Sequence, residues 1–168
     1  LVICNCPPQQ TLDLIGGKSD LDAVIGDVVM RGCWALMVAD ERLNEMDFHG
    51  AFVHDGILSW IAGNTSKPGR PRTPAWVIHA SAEWSEQHLE DDPESVTATL
   101  LTAFETAIKR SLDSPRHAVA HRWRYALAAQ PLDQQCLFDP VAGLGACGDW
   151  CGGSRVEAAF LSGAAMAG

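Results

Sequence analysis

The sequence predicts an α/β unit divided between the two ends of the chain, with an α+β block inserted into it. The block is an antiparallel sheet carrying helices on one face. Three observations predict this. The chain opens on an apolar run, Leu1-Val2-Ile3-Cys4, and closes on a strand-turn-helix pattern from Gly143 onward, so the two flanks read as pieces of one layer. Between them lie several β-rich runs joined by hairpin signals, with two helices interleaved. Both ends fall inside apparent elements and read as cuts. The boundaries are drawn at 1–20, 21–128 and 129–168.

Each element follows from local chemistry. Val2 to Cys6 is a short buried strand stopped by Pro7-Pro8. Leu12, Leu14 and Ile15 suggest a helical turn before Gly16-Gly17. Asp27 to Ala39 is an apolar run long enough for a core strand, and Asp40 to Asp47 is an acidic loop. Asp55-Gly56 between Ala51–His54 and Ile57–Ile61 predicts a hairpin turn with both central residues at positive φ. Gly63 to Pro74 is an irregular basic loop, and Trp76 to His79 a strand. Ser81 can cap a short helix carrying Trp84 and His88. Asp92-Pro93-Glu94 starts a longer one, with Val96, Leu100, Leu101, Phe104 and Ile108 near helical spacing and Lys109-Arg110 at its negative end. His117 to Leu127 alternates as a strand, with His121, Trp123 and Tyr125 on one face and Arg122 and Arg124 on the other. Pro131 to Pro140 is a connection, and Gly143 to Cys147 a small-residue strand.

Composition narrows the function. With 47% hydrophobic residues in 168 the chain can fill a core, which excludes a disordered segment. Twelve basic against 21 acidic residues give a net charge of −9, which disfavours a nucleic-acid partner. No apolar stretch approaches the roughly 18 residues of a membrane span, and no signal peptide is visible. The six cysteines have no zinc-knuckle spacing and read as buried free thiols, so no metal is expected and a reducing, cytoplasmic setting is.

The stretch Gly145 to Gly163 carries the chemistry. A strand ends at Gly148, a Gly-rich turn lets a ligand approach the backbone, and Ser154-x-x-Glu157 is a capping-box pattern. First-turn amides carry partial positive charge, and Asp149 can accept from ligand hydroxyls. This is the layout of a nucleotide-cofactor site at the carboxyl edge of an α/β sheet, although a plain well-capped strand-turn-helix has the same pattern.

Gly148-Asp149-Trp150 through Gly163 resembles the C-terminal flavin fingerprint of the amine-oxidase-like FAD superfamily. Trp76–Ser81, Glu83–Ser85, His88–Asp91, His121–Ala126, Gly148–Cys151 and Asn64–Arg70 resemble, more narrowly, its bacterial renalase-like branch. The resemblance spans nearly the whole chain. It implies a substrate domain (21–128) flanked by pieces of a divided, Rossmann-like FAD-binding domain (1–20 and 129–168). It implies FAD as cofactor, with Gly148, Asp149, Trp150, Gly153, Arg155 and Val156 at its site: Asp149 holds the ribityl-pyrophosphate region, and backbone near Arg155 and Val156 meets the pyrimidine edge of the ring. The Gly-x-Gly-x-x-Gly of the family's N-terminal half, with its acid after the second strand, does not follow the first strand of this chain, Val2 to Cys6. The resemblance therefore implies a further N-terminal half of the same protein as partner for the adenosine end.

For substrate it implies an isomeric dihydronicotinamide dinucleotide, oxidised by hydride transfer to flavin with O2 as electron acceptor. A flavin amine oxidase is the alternative within the class, and a catalytically silent fragment needing a separate FAD-binding half the alternative outside it. Asn64, His79, Trp123 and Arg124 are the candidates for the substrate face, although Trp123 and His79 read as well as core residues. Lys67, Arg70 and Arg72 are either a solvated loop or a phosphate contact. No catalytic acid, base or nucleophile is assigned. Ser81 and Ser162 lack a His-acid partner in sequence, His49 and His54 fall on opposite strand faces, and the acids from Glu83 to Glu94 read as a solvated edge.

Overall fold

The computed structural model describes residues 1–71 and 73–168. Arg72, one of the basic-loop residues considered above, lies outside them. In chain order the elements are β1 (Val2–Cys4), α1 (Pro8–Ile15), α2 (Leu21–Gly26), β2 (Met30–Ala39), β3 (Gly50–Phe52), β4 (Leu58–Gly63), β5 (Ala75–Ala80), α3 (Ala82–Gln87), α4 (Pro93–Ile108), β6 (His117–Ala128), β7 (Leu137–Asp139), β8 (Leu144–Ala146) and α5 (Val156–Ala167). Short 3-10 turns occupy Glu41–Glu45 and Asn64–Ser66.

The chain divides into two compact units, one made of Leu1–Arg31 with Tyr125–Gly168 and the other of Gly32–Arg124. The sequence reading cut at 20/21 and 128/129 instead. The difference has a packing cause: Ile25 on α2 and the nearby Val28 bury in the core of the first unit, beside Ile15, Leu144 and Trp150.

In the first unit β1 pairs parallel with β8, and β7 pairs antiparallel with β8, giving the order β1-β8-β7. The sequence reading passed over β7 as part of a connection. Its three residues become a strand because they lie against β8, Leu137 opposite Ala146 and Asp139 opposite Leu144. Ser19 donates to Asp139 (2.6 Å), which ties the segment before α2 to this small sheet.

The second unit is built on the sheet β3-β4-β5-β2-β6. Trp34, Leu36 and Val38 of β2, Trp76 and Ile78 of β5, and Ile61 of β4 meet Val96, Leu100 and Phe104 of α4 in one core. Alternation along each strand puts the other residues on the opposite face. The β3–β4 hairpin forms, but its loop spans residues 53–57 and Gly56 alone takes positive φ (+84°), so the two-residue turn expected at Asp55-Gly56 is not made. Helix starts are as the side chains dictate. Ser81 accepts from the Trp84 amide, and Asp92 accepts from the amides of Glu94 and Ser95. Thr97 then accepts from the Ala120 amide (2.9 Å), joining α4 to β6.

The acidic stretch after β2 holds an ion pair. Asp40 caps the 3-10 turn by accepting from the Arg42 amide, and takes Nε of the same residue at 2.7 Å. Arg42 also donates to the Leu112 carbonyl. Hydrogen bonding from Arg42 holds the Asp40 carboxyl down to about 2. A depressed folded-state pKa contributes stability that is fully present above the ordinary carboxylate value and lost as pH falls through the folded one. Asp40→Asn is therefore expected to cost about 1–2 kcal/mol at neutral pH. That gap to the wild type should close between about pH 4 and pH 2, as read from urea unfolding at a series of pH values. A gap independent of pH would show that the carboxylate charge is not what stabilises the turn.

Candidate functional site

The corner after β8 is built from backbone fit. The Cys147 amide donates to the Cys4 carbonyl (3.0 Å), prolonging the β1–β8 pairing. A Cβ at Gly148 would stand 2.7 Å from the Trp150 indole nitrogen, so only glycine leaves room for that ring. Trp150 is buried, and its Nε1 donates to the Cys6 carbonyl (3.2 Å). The turn closes through the Cys151 amide to the Gly148 carbonyl (3.1 Å), and Gly152 donates to Leu132 (2.7 Å). Gly152 and Gly153 take left-handed φ values of +71° and +138° and lead into α5.

Two expectations for this corner are corrected. The capping box is not formed: Arg155 occupies the N-cap position with no side-chain cap, and the Ser154 hydroxyl donates instead to the Ala128 carbonyl (3.4 Å). The two preceding glycines carry the chain past the geometry in which Ser154 could reach its own helix. Nor does the Gly148 amide await a ligand, because Ser162 on α5 accepts from it at 2.9 Å. Ser162 is the buried residue of α5 and fastens the helix to the turn. Sequence reading weighed it only as a nucleophile.

What the corner offers is a carboxylate and an uncapped helix start. Asp149 is half-buried and has no hydrogen bond or ion pair among the described residues. Arg155 and Val156 are exposed at the start of α5, whose first-turn amides lack intrahelical acceptors. Gly153 packs close, its Cβ position 3.4 Å from that of Ala158. Trp150 supports the turn from the core side rather than facing outward. A carboxylate without a protein donor beside free amides fits a ligand bearing hydroxyls and an electron-rich edge, which describes the ribityl and pyrimidine portions of FAD.

The cysteines are free thiols, with Cys4, Cys147 and Cys151 buried. Burial pushes Cys151 up to about 12 and Cys33 up to about 11, so both are neutral thiols at physiological pH. Among the described residues no three His, Cys, Asp or Glu side chains are arranged to hold a metal ion.

The substrate-face candidates lie in the second unit. Strand register sets Phe52 opposite Trp60, Trp60 opposite His79 and His79 opposite Ala35, one row across β3, β4, β5 and β2 on the face away from the core. Phe52 and Trp60 are in ring contact, 4.7 Å between centroids. The His79 ring is held below its ordinary pKa, first by burial and then by the charge of Lys67. Trp123, with an edge contact to His121 at 4.7 Å, also points away from the core and is 57% exposed. Asn64 opens the 3-10 turn, its carbonyl accepting from the Lys67 amide (3.2 Å). Arg124 is turned to the helix side, where its guanidinium takes both Glu90 oxygens at 2.5 and 2.9 Å. The structure thus puts His79 and Trp123 on the same sheet face and Arg124 on the other. The reading from sequence missed Phe52 and Trp60, whose signal was their alternation about the hairpin.

No protein-family model matches the chain. Solved structures do. A protein from Exiguobacterium sp. 255-15, described as a candidate protoporphyrinogen oxidase, superposes with a TM-score of 0.74 at 13% identity over 98% of this chain and 39% of its own. An oxidoreductase from Methanosarcina mazei gives 0.55 at 19% identity over 100% of this chain and 43% of its own. The chain spans about two fifths of the length of each. At such identities the likeness is one of fold: the mixed α/β architecture described above is shared with part of an oxidoreductase structure.

Proposed function

We propose that this chain is part of an FAD-dependent oxidoreductase of renalase-like type, acting on isomeric dihydronicotinamide dinucleotides with O2 as electron acceptor. The observation that carries the reading is Asp149, half-buried and without a partner beside the uncapped start of α5, in a fold shared with part of an oxidoreductase. FAD supplies, when bound, the ring that takes a hydride from the substrate and passes the electron pair to O2. Asp149 accepts hydrogen bonds from the ribityl hydroxyls. The first-turn amides by Arg155 and Val156 place partial positive charge at the pyrimidine edge and favour negative charge there. Ser162 and Trp150 act only by holding that turn in shape. In the second unit, His79 and Trp123 stack an aromatic substrate and exclude water; the neutral His79 ring adds no charge to oppose the positive charge that builds on the substrate ring as hydride leaves.

FAD titrated onto the protein is expected to bring the visible flavin absorbance with it. Asp149→Ala is expected to weaken binding by about tenfold or more, the worth of a charge-assisted hydrogen bond. Equal affinity in the two proteins would remove Asp149 from the site.

One observation favours a second reading, in which the chain is silent until a separate dinucleotide-binding segment joins it. Helix α5 carries a single charge, Glu157, yet leaves Val156 90% and Phe160 74% exposed, and the edge strand β1 exposes Val2 and Ile3. Helices this apolar are normally covered. The same absorbance measurement separates the readings: colour on FAD addition alone supports the first, and colour only after a dinucleotide-binding segment is added supports the second.

A further inference from the structure

Cys4, Cys136, Cys147 and Cys151 gather at the end of β8. The β7–β8 register sets Phe138 opposite Gly145 and Leu137 opposite Ala146, so one step further on stand Cys136 and Cys147. Gln135 fixes the other side of Cys136: its Cα lies 3.5 Å from where a Cβ at Gly152 would stand, in the turn that holds Cys151. The four thiols divide by face. Cys4, opposite Ala146 in the β1–β8 register, and Cys151 belong to the core cluster with Ala146 and Leu137. Alternation turns Cys147 the other way, with Gly145, whose Cβ position lies 2.8 Å from Met166 Sδ on α5. The same alternation sets Cys136 on the Phe138 side, which is also the side of Gly145. Directly opposite residues of an antiparallel pair have Cα atoms about 4.5–5.5 Å apart, inside the roughly 4.4–6.8 Å that a disulfide spans. Cys147 is buried and Cys136 half-buried. The Cys147 thiol is pushed up first by burial and then by its neighbours, Cys136 ahead of Cys4.

We propose that Cys136 and Cys147 are a peroxide-sensitive dithiol, a modification site that oxidation closes into a cross-strand disulfide immediately before the Gly148–Asp149 turn. The oxidant is hydrogen peroxide. The Cys136 thiolate, the more accessible of the two, attacks one peroxide oxygen; the O–O bond breaks, Cys136 becomes a sulfenic acid and the other oxygen leaves as water. The Cys147 sulfur then displaces the hydroxyl from Cys136, and its proton leaves with that oxygen as a second water. The two sulfurs together give up the electron pair that reduces the peroxide. The disulfide ties the Cys136 segment to the end of β8, and a thiol reductant reopens it by exchange. The step needs no flavin, so it stands or falls apart from the reading of Asp149.

The test treats the folded chain with hydrogen peroxide, alkylates the remaining thiols in denaturant and digests on the amino side of aspartate. Cleavage before Asp133, Asp139 and Asp149 puts Cys136, Cys147 and Cys151 on separate peptides. Mass spectrometry is expected to find the Cys136 and Cys147 peptides linked, lighter by a pair of hydrogens than the reduced peptides together, and parted again by dithiothreitol. Cys151→Ala should leave the link in place. Cys147→Ala should leave Cys136 as a sulfenic acid that dimedone captures, and Cys136→Ser should abolish the link and spare the Cys147 thiol. If Cys147 is found paired with Cys151 or Cys4 instead, the assignment of the pair is overturned. If both thiols remain alkylatable, or Cys136 runs on to the sulfinic acid without a link while Cys147 is present, there is no such site and the proposal falls.

Discussion

Trp150→Ala is expected to destabilise the protein by about 3–5 kcal/mol, the range for emptying a large aromatic from a close-packed core. The ring packs in the core formed with Ile15, Ile25 and Leu144. It is also a hydrogen-bond donor: without Nε1 the Cys6 carbonyl loses its partner. The backbone around it ties the corner together, since the Trp150 carbonyl accepts from the Leu132 amide at 2.9 Å. Trp150→Phe separates the terms, keeping most of the volume and losing the donor, and should cost about 1–2 kcal/mol beyond the lost area. Urea unfolding followed by circular dichroism reads both. An alanine variant within about 1 kcal/mol of the wild type would mean that the corner does not depend on this ring. Because Trp150 leaves no space for a side chain at Gly148, the same variant should relieve the steric part of the cost of Gly148→Ala, the strain of its φ of +159° remaining, a coupling that a double-mutant cycle detects.

Trp34→Ala should be comparably severe in the second unit, at about 3–5 kcal/mol. Trp34 sits on β2 with no exposed surface. Its Nε1 donates to the His88 carbonyl (2.9 Å), and its amide donates to the buried Ser85 hydroxyl (3.1 Å). Both acceptors belong to the segment of α3 and its C-cap, so one residue fixes that helix to the sheet. Arg122 lies over the ring, 5.6 Å from its centroid, and removing the ring takes away a cation–π contact of about 0.5–1 kcal/mol. Ser85→Ala tests the second link separately: it leaves the Trp34 amide buried without an acceptor and should cost about 1–3 kcal/mol. Unfolding midpoints from the same urea series decide this. A Ser85→Ala midpoint equal to that of the wild type would show that the amide finds another acceptor.

The elements that were legible in sequence are those whose cause lies within a few residues. Asp92-Pro93 starts α4 because the carboxylate reaches two amides next to it, and Ser81 starts α3 in the same way. The long alternation of β6 and the apolar run of β2 needed no partner to be recognised. What escaped depends on residues far apart in the chain. Three residues at Leu137–Asp139, between Pro131 and Pro140, have no periodicity to show, and they are a strand only by lying on β8. Ser154-x-x-Glu157 has the composition of a capping box, but the left-handed glycines before it aim the hydroxyl elsewhere.

The candidate site divides along the same line. Glycine at positions 148, 152 and 153, followed by an apolar helix, marks a close-approach turn from residue types alone, because no side chain can follow that backbone path. Which amide stays open is a different matter. Ser162 must come within hydrogen-bond distance of Gly148, fourteen positions away, and only the packing of α5 back onto the end of β8 brings it there. Likewise Phe52, Trp60 and His79 are unrelated positions until strand register sets them side by side. Backbone preference is a property of each residue and its neighbours. Who partners whom is settled by burial, which compares contacts across the whole folded chain.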